Sequence, residues 1–292
     1  MANLKEIRTR ITSVKSTKQI TSAMKMVSAA KLRKAQDTAL KLRPYSIKLK
    51  QIFAQLTLSA EDLELPLAEQ REVKKVLFVL ITSNKGLCGA FNANVIKKSF
   101  QSIVDKYQEH NANDNIEFYA IGKKGSDLLK SKGVEVTYKN DDLVDSPGFS
   151  DISDFADRLM KEFESKEFDR IVLFYNQFKN AAVQILMEEQ LLPIQAEEED
   201  DDNGVNLDYI LEPDKETIIT ELMPKTVRTQ LYKAILDSVA SEHGARMTAM
   251  HKATDNATEL IKSLQLEYNK ARQASITNEI LEIVGGAEAL KG

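Results

Sequence analysis

The sequence predicts an α/β protein in which two long terminal helices flank a central domain of alternating strands and helices. Three observations support this fold class. Apolar residues recur every three or four positions over 4–56, the same period returns over the C-terminal third of the chain, and β-rich runs alternate with helical stretches between them. Such alternation indicates a largely parallel sheet covered by helices.

The N-terminal helix is predicted over 4–56, because neither glycine nor another breaker interrupts its apolar period before Pro44. The ring of Pro44 removes a backbone donor, so we expect a bend or an end of the helix there. The apolar positions form two series, namely Leu4, Ile7, Ile11 and Val14, then Ile20, Ala23, Met24, Val27 and Ala30.

The C-terminal helix carries a seam whose spacings alternate between four and three residues, as in a coiled coil. It is predicted to begin after Pro213 or, past a kink, after Pro224, and to end near Gly285-Gly286. The seam positions are Val239, His243, Arg246, Met250, Ala253, Ala257, Leu260, Leu264, Glu267, Ala271 and Ala274.

The middle of the chain reads as strands and helices in turn. Strands are predicted at 76–82, 116–121, 134–138 and 171–175, with a further one within 181–191, and helices at 92–109, 123–131 and 152–164. The run Glu197–Asp202 is too acidic to pack and predicts a surface loop.

Each terminal helix has an apolar seam that needs a partner, and the simplest partner is the other helix. We expect an antiparallel coiled coil with paired residue numbers that add up to 270, which places Leu4 near Leu266. The predicted division is 1–58 and 207–292 for the paired helices, and 72–195 for the α/β domain. Residues 267–288 then project alone, and their aliphatic side chains imply a partner protein that receives a helical tip.

Charge and composition bound the class of protein. Residues 1–50 carry a net charge of +11, residues 226–292 are neutral, and residues 51–225 therefore carry −15 of the total −4. The longest apolar run is 76–81, well short of the roughly 20 residues of a membrane span. The single cysteine, Cys88, excludes an internal disulfide framework. With no recognisable signal peptide at its start, the chain is expected to be soluble and intracellular.

The loop Ser83–Gly89 is the best candidate for chemistry, because it follows a strand and precedes a helix. It lacks the glycine spacing of the known nucleotide loops, so glycines that permit a tight turn explain it equally well. A nucleophilic role for Cys88 would need a nearby base, and the spacing of His243 and His251 does not suit a metal. We predict no catalytic residue, cofactor or metal site.

Two alternatives remain open at this point. The α/β domain could be an enzyme whose helices serve oligomerisation, which predicts a bound nucleotide or a reactive Cys88. The basic N-terminal segment could instead bind nucleic acid, which predicts salt-sensitive binding to duplex DNA. The absence of a catalytic set favours a mechanical or scaffolding role over both.

Four methionines fall near one level of the paired helices, namely Met24, Met26, Met247 and Met250. In the predicted register Met24 lies opposite Arg246 and Met247, where core packing is the default interpretation. Arg246 on the seam requires a backbone carbonyl or an acid as partner, because an unpaired charge there would destabilise the pair.

The chain resembles the gamma subunit of F-type ATP synthase over essentially its whole length. The resemblance is carried by the opening residues 4–36, the loop SNKGLCGAFN, the segment DYILEPD at 208–214, and the closing stretch from Ala245 to Leu290. It implies an antiparallel coiled coil of the termini with a Rossmann-like central domain. It also implies a non-catalytic central rotor shaft, which couples ion flow through a membrane ring to ATP synthesis and regulates both ATPase activity and ion flow.

The resemblance further implies partners and contact residues. The partners are three alpha and three beta subunits, an epsilon subunit and the ion-translocating ring, with no nucleic acid. The residues implied are Lys85, Arg272, Gln273, Thr277 and Glu279 for the catalytic-subunit contact, Met24 and Arg246 for coupling along the shaft, and Tyr209 and Glu212 for the ion-ring contact. Without the paired cysteines of the chloroplast version or a mitochondrial presequence, a bacterial source is expected, with peripheral attachment at the cytoplasmic face of the cell membrane.

Overall fold

The computed structural model describes residues 4–58, 65–108, 110, 115–195, 212 and 214–289. Its helices are α1 (Leu4–Leu58), α2 (Phe91–Lys106), α3 (Lys123–Ser131), α4 (Asp142–Asp145), α5 (Phe149–Glu164) and α6 (Lys215–Ala289), with a short 3-10 helix at Pro66–Ala68. Its strands are β1 (Val76–Ile81), β2 (Ile116–Ile121), β3 (Tyr138–Asn140), β4 (Arg170–Phe178) and β5 (Gln184–Leu192). None of the helices within these ranges is both long and apolar enough to serve as a membrane span.

The chain divides into two compact units, one formed by Met1–Ser28 with Met247–Gly292 and the other by Ala29–Arg246. The long helices α1 and α6 each contribute to both units. The predicted fold class is confirmed, because long N- and C-terminal helices pack together and a mixed sheet forms the central domain.

The central sheet has the strand order β3-β2-β1-β4-β5. The first four strands are parallel and β5 runs antiparallel to β4. Every residue of β1 is fully buried, as expected for a central parallel strand whose two faces are both covered. The strand order reverses beside β1, and this is the switch point where doubly wound sheets place their functional loops.

Helices cover the sheet because alternate strand residues face opposite sides. Phe78 lies in one face with Phe118 and Phe174, and α2 and α3 add apolar side chains to the same cluster. On α5, Phe155 stacks on Tyr138 of β3 with ring centroids 5.4 Å apart.

Four strands, including β5, and three helices form close to where the sequence predicts them, but the strand predicted at 134–138 is wrong. The structure places β3 at Tyr138–Asn140 instead. Gly133 has a φ of +76° and terminates α3, and the amide of Val134 donates to the carbonyl of Leu129. Val134 and Val136 pack against the apolar cluster of the sheet, but backbone pairing with β2 begins only at the end of the run, where the Thr137 amide donates to the Phe118 carbonyl at 3.1 Å.

In the unit formed by the two chain ends, α1 and α6 run antiparallel. The Thr21 and Thr254 hydroxyls are 2.8 Å apart, and Lys25 Nζ lies 3.3 Å from His251 Nδ1. These pairs add up to 275 and 276, so the predicted sum of 270 is wrong by more than one helical turn. Extended along the helices, the observed register places Leu4 opposite about residue 271.

The seam also differs in detail from the predicted one. On α1, Thr21 and Ser28 are buried, whereas Ile20 and Val27 are 60% and 59% exposed. On α6 the predicted positions Ala257 and Leu264 are buried. The neighbouring inward positions are 261, 268 and 275, whereas the predicted 260, 267 and 274 are exposed. The predicted and the observed seam positions both alternate spacings of three and four, so periodicity alone does not show which of two adjacent rows of residues faces inward.

The helix ends show what proline and glycine do in this chain. Pro44 and Pro224 both lie inside continuous helices, so α6 begins after Pro213 and not after Pro224. Asp214 caps α6, because its carboxylate accepts bonds of 2.8 Å from the Thr217 amide and hydroxyl. The predicted end at Gly285-Gly286 is wrong, since α6 continues to Ala289. Glycine costs a helix only about 1 kcal/mol per residue, which does not stop an established helix.

Candidate functional site

The loop 83–89 leaves the carboxyl end of β1 at the switch point of the sheet and is fixed by polar side chains at its start. The Ser83 amide donates to Asn92 Oδ1 at 2.9 Å, which ties the loop to the first turn of α2. Asn84 donates to the carbonyl of Asp141 at 2.7 Å and accepts from the Lys123 amide at 2.9 Å. The loop is thus tied to three different segments of the central domain.

Arg246 on α6 holds the outer part of this loop. Its Nη2 donates to the carbonyl of Lys85 at 2.7 Å and its Nε to the carbonyl of Gly86 at 3.2 Å. Its Nη1 donates to Glu242 Oε1, one turn earlier on the helix, at 2.6 Å. Arg246 is only 6% exposed, so the predicted need for carbonyl or acid partners is confirmed, and both kinds are present.

The electrostatics around Arg246 follow from burial. Burial raises the pKa of Glu242, and the opposing charge of Arg246 only partly offsets it. Burial, followed by the positive charges of Arg246 and Lys31, lowers the pKa of His243 to about 4. The imidazole is therefore neutral at pH 7 and can accept a hydrogen bond from Arg246 Nη1, 3.4 Å from its Nδ1.

The same loop does not have the properties of a catalytic or phosphate-binding loop. Phosphate-binding loops point amide N–H groups at their ligand, whereas two carbonyls of this loop converge on a guanidinium. Cys88 is 2% exposed and burial raises the pKa of its thiol, which is the opposite of what a nucleophilic cysteine needs. The observations therefore weigh against the enzyme alternative.

The loop 83–89, called here the anchored loop, exposes one cation and one large apolar side chain. Lys85 is exposed, while its backbone carbonyl is held by Arg246. Leu87 is 65% exposed and has a φ of +62°, a left-handed conformation that a non-glycine residue adopts only when its surroundings enforce it. The structure thus brings together two of the predicted residues, Lys85 and Arg246, through the backbone of one and the side chain of the other.

The second candidate surface is the last part of α6, called here the tip and defined as residues 272–289. Its exposed large apolar side chains are Ile276, Ile280, Leu281, Ile283 and Val284, each 48% to 70% exposed. The predicted contact residues Arg272, Gln273, Thr277 and Glu279 all lie here and are all exposed.

Polar contacts within the tip are few. The Thr277 hydroxyl bonds the Gln273 carbonyl at 2.9 Å, and the Ser275 hydroxyl bonds Glu279 Oε1 at 3.3 Å. Within the described part of the chain, the side chains of Arg272 and Gln273 have no hydrogen bond or ion pair. Both polar groups are thus free to bond a partner.

The remaining predicted residues lie neither in the loop 83–89 nor in the tip. Met24 is half-buried on α1 in the unit of the chain ends. Glu212 is exposed just before α6 begins, and Tyr209 lies outside the described residues. A residue that the sequence reasoning missed is Glu242, the buried acid that neutralises Arg246. Its signal was present, because an acid four residues before an arginine on one helix is a standard ion-pair spacing.

Comparison with known proteins identifies the family. A family model described as ATP synthase matches residues 3–290. The chain is 56% identical to the ATP synthase gamma chain of Christiangramia forsetii and 58% identical to that of Flavobacterium johnsoniae, in each case over 100% of both chains.

Solved structures agree in fold. The chain superposes on a chain of the Euglena gracilis mitochondrial ATP synthase rotor with a TM-score of 0.66 and 22% identity, over 94% of this chain and 98% of that one. It matches the central stalk and c-ring structure of the Tetrahymena thermophila mitochondrial ATP synthase with a TM-score of 0.58 and 23% identity, over 80% and 99% of the two chains. The anchored loop and the bare helical tip are thus features of a chain that belongs to the gamma chain family of ATP synthase.

Proposed function

We propose that this chain is the central rotor shaft that couples ion flow through a membrane ring to ATP synthesis at the catalytic subunits. The gamma chain is a non-catalytic subunit of the synthase, so the chain acts by transmitting torque. The proposal is supported by full-length similarity to gamma chains and by a fold shared with a structure described as the Euglena gracilis rotor.

One observation carries the proposal, namely the bare tip at the end of a continuous 75-residue helix. In the described part of α6, Leu264 is the last buried residue, and from residue 276 onward every side chain with an assigned exposure is exposed. Five large aliphatic side chains within nine residues form an exposed apolar surface, and its contact with water is unfavourable. A ring of neighbouring subunits around the tip would cover them on all sides.

Exposed polar side chains on the tip and on the loop 83–89 can supply the free energy that coupling requires. An asymmetric rod inside a threefold ring presents a different face to each catalytic site. Shifting one site from 1:99 to 99:1 between two states requires about 5.5 kcal/mol of differential contact. Hydrogen bonds to charged groups contribute about 1.5–3 kcal/mol each, so a few of them suffice. Arg272, Gln273 and Lys85 are the proposed donors, because their side chains are exposed on the tip and on the anchored loop.

The proposed partners are three alpha and three beta subunits around the coiled coil, with an epsilon subunit and the ion ring at the other end. The solved structure of the Euglena gracilis enzyme, described as containing F1 and the c-ring, supports an assembly of this kind. The proposed location is the cytoplasmic face of a bacterial cell membrane, as a peripheral subunit. Tyr209 and Glu212 are proposed for the ion-ring contact, and Thr277 and Glu279 for the contact with the catalytic subunits.

The test is ATP synthesis driven by an ion gradient in membrane vesicles that contain the Arg272→Ala, Gln273→Ala double variant. We expect a loss of at least tenfold in synthesis, because two charge-assisted or polar contacts worth more than 1.4 kcal/mol together are removed. The matched control is Glu267→Ala, an exposed charge on the same helix that lies more than about 100° around the helix from both Arg272 and Gln273 and should retain synthesis.

Two results would contradict the proposal. Unchanged synthesis in the double variant, with normal assembly, would remove Arg272 and Gln273 from the coupling surface. Failure of a tagged chain to recover alpha, beta and epsilon subunits from membranes would remove the shaft assignment itself.

A further inference from the structure

A cavity of about 540 Å³ lies in the unit 29–246 and has no part in the proposed rotary contacts. One face of α1 and one face of α6 line it, together with β4, β5 and the end of α2. The α6 residues are Thr226, Thr229, Gln230 and Lys233, whose spacing of three and four places them on one helix face. The volume is typical of a small-molecule site.

The two acids that line the cavity already have hydrogen-bond donors within the protein. Glu188 accepts bonds from Lys106 at 2.8 Å and from Ser102 at 2.9 Å. Burial raises the pKa of Glu188, but these donors and Lys98 outweigh it, so its pKa lies below the ordinary value and the carboxylate is charged and paired.

The second acid, Glu189, is held in the same way by neutral donors. The Tyr175 hydroxyl donates to its Oε2 at 2.6 Å, and Gln230 Nε2 donates to its Oε1 at 3.1 Å. Burial, followed by the charge of Glu189, raises the pKa of Tyr175, which keeps the phenol protonated as a donor. Both carboxylates therefore have donors of their own, and neither requires a hydrogen-bond donor from a ligand.

Two cations of the lining, Arg170 and Lys233, and the hydroxyl of Thr229 have, in contrast, few or no acceptors among the described residues. Among the described residues, the Arg170 guanidinium makes a single hydrogen bond, a long one of 3.5 Å to the Tyr107 hydroxyl, and its Nε is buried without an acceptor. Lys233 has no hydrogen bond or close ion pair within that part of the chain, although its charge acts on Asp237. Thr229 lines the cavity and is 3% exposed, and its hydroxyl has no hydrogen-bond partner among the described residues.

We propose that this cavity binds a small organic anion that carries a carboxylate or phosphate group. The unused donors of Arg170, Lys233 and Thr229 match an anionic group, since a guanidinium suits carboxylate and phosphate equally. The apolar lining, formed by Leu49, Phe53, Val172, Met187 and Ile194, matches a hydrocarbon or aromatic body. The site is separate from the loop 83–89 and from the tip.

The test measures binding of benzoate and phenyl phosphate to the full-length chain by titration calorimetry, with benzamide as the neutral analogue of benzoate. We expect the tighter of the two anions to bind with a Kd of about 1 mM or below, as fits a ligand of this size. The same anion should bind at least tenfold tighter than benzamide. Whichever anion binds more tightly shows whether the cavity prefers a carboxylate or a phosphate group.

Variants assign the binding to this cavity. The Arg170→Gln, Lys233→Gln double variant and the single Thr229→Val variant should each weaken binding, the former by at least tenfold. The matched control is Lys225→Gln on the same helix, whose cation pairs with Glu221 outside the cavity and should bind the anion normally. Thermal unfolding of each variant verifies that the fold is retained.

The proposal is overturned by any of three results. The first is that neither anion binds at 10 mM, a concentration roughly tenfold above the expected Kd. The second is that benzamide binds as tightly as the tighter of the two anions, and the third is that the folded double variant keeps the full affinity of the parent chain. In the last case the anions bind elsewhere on the surface.

Discussion

Replacing Arg246 by alanine tests whether the loop 83–89 is held by a buried ion pair. The substitution removes two bonds to loop carbonyls and leaves Glu242, itself 8% exposed, without its cation. Breaking a buried pair by removing one partner costs about 3–5 kcal/mol, because the remaining charge stays desolvated. That is a large part of the roughly 5–15 kcal/mol by which a typical domain is stable.

The assay is urea unfolding of the full-length chain at pH 7, with Arg228→Ala as the matched control. Arg228 also lies on α6 and bonds Asp157 at 2.6 Å, but the two side chains are 32% and 36% exposed. An exposed pair of this kind contributes about 0–1 kcal/mol, so the control should lose at most that amount. The contrast measures what burial and the two bonds to loop carbonyls add, since helix, arginine and ion-pair distance are matched.

Removing the acid as well tests whether the unpaired carboxylate of Glu242 causes the loss of stability. In the Arg246→Ala, Glu242→Gln double variant no buried charge remains, so we expect stability to recover by about 1–3 kcal/mol relative to Arg246→Ala. A loss below about 1 kcal/mol for Arg246→Ala, or no recovery in the double variant, would refute the reasoning.

Two further predictions concern stability. The folded chain keeps His243 neutral down to about pH 4 whereas an unfolded histidine protonates near pH 6.5, so the unfolding free energy should fall by about 1–2 kcal/mol from pH 7 to pH 5. His243→Gln should lack that part of the fall in urea titrations at the two pH values, and an equal fall in both chains would contradict the assignment. Gly122→Ala should cost at least about 3 kcal/mol, because its new Cβ would collide with the Thr82 carbonyl at a φ of +96°; Gly133→Ala, at +76° in open space, should cost only about 1–2 kcal/mol. Equal losses in the two glycine variants would exclude the collision as the cause.

The architecture was predictable from sequence because long, uninterrupted periods dominate both chain ends. Fifty-five residues of α1 contain no glycine, and its single interior proline does not end the helix. The strands β1, β2 and β4 were predictable because a buried parallel strand is a short continuous apolar run. The presence of β5 was also predicted, although the pattern did not reveal that it runs antiparallel.

The register of the paired helices was less predictable, because apolar seams repeat every few residues and tolerate a slip of one or two turns. The polar pair formed by Thr21 and Thr254 shows the observed register, yet neither residue stands out as a seam position. The site was predictable in part, since Arg246 on the seam demanded partners and the loop 83–89 was recognised. The side chain of Arg246 binds the carbonyls of this loop only because the tertiary fold brings the two together, and no local sequence pattern encodes that contact.

The most direct test of the shaft is ion-driven ATP synthesis by a Thr21→Cys, Thr254→Cys complex before and after oxidation. The two hydroxyls are 2.8 Å apart, so thiols at these positions lie within bonding reach, and the single native cysteine, Cys88, is buried. An Ile20→Cys, Thr254→Cys complex, with one thiol on the exposed side of the helix, is the control. We expect the disulfide to form only in the first pair and synthesis to continue, because both helices turn together as one rod. Absence of the disulfide in folded material, or a loss of synthesis that reduction restores, would contradict the account.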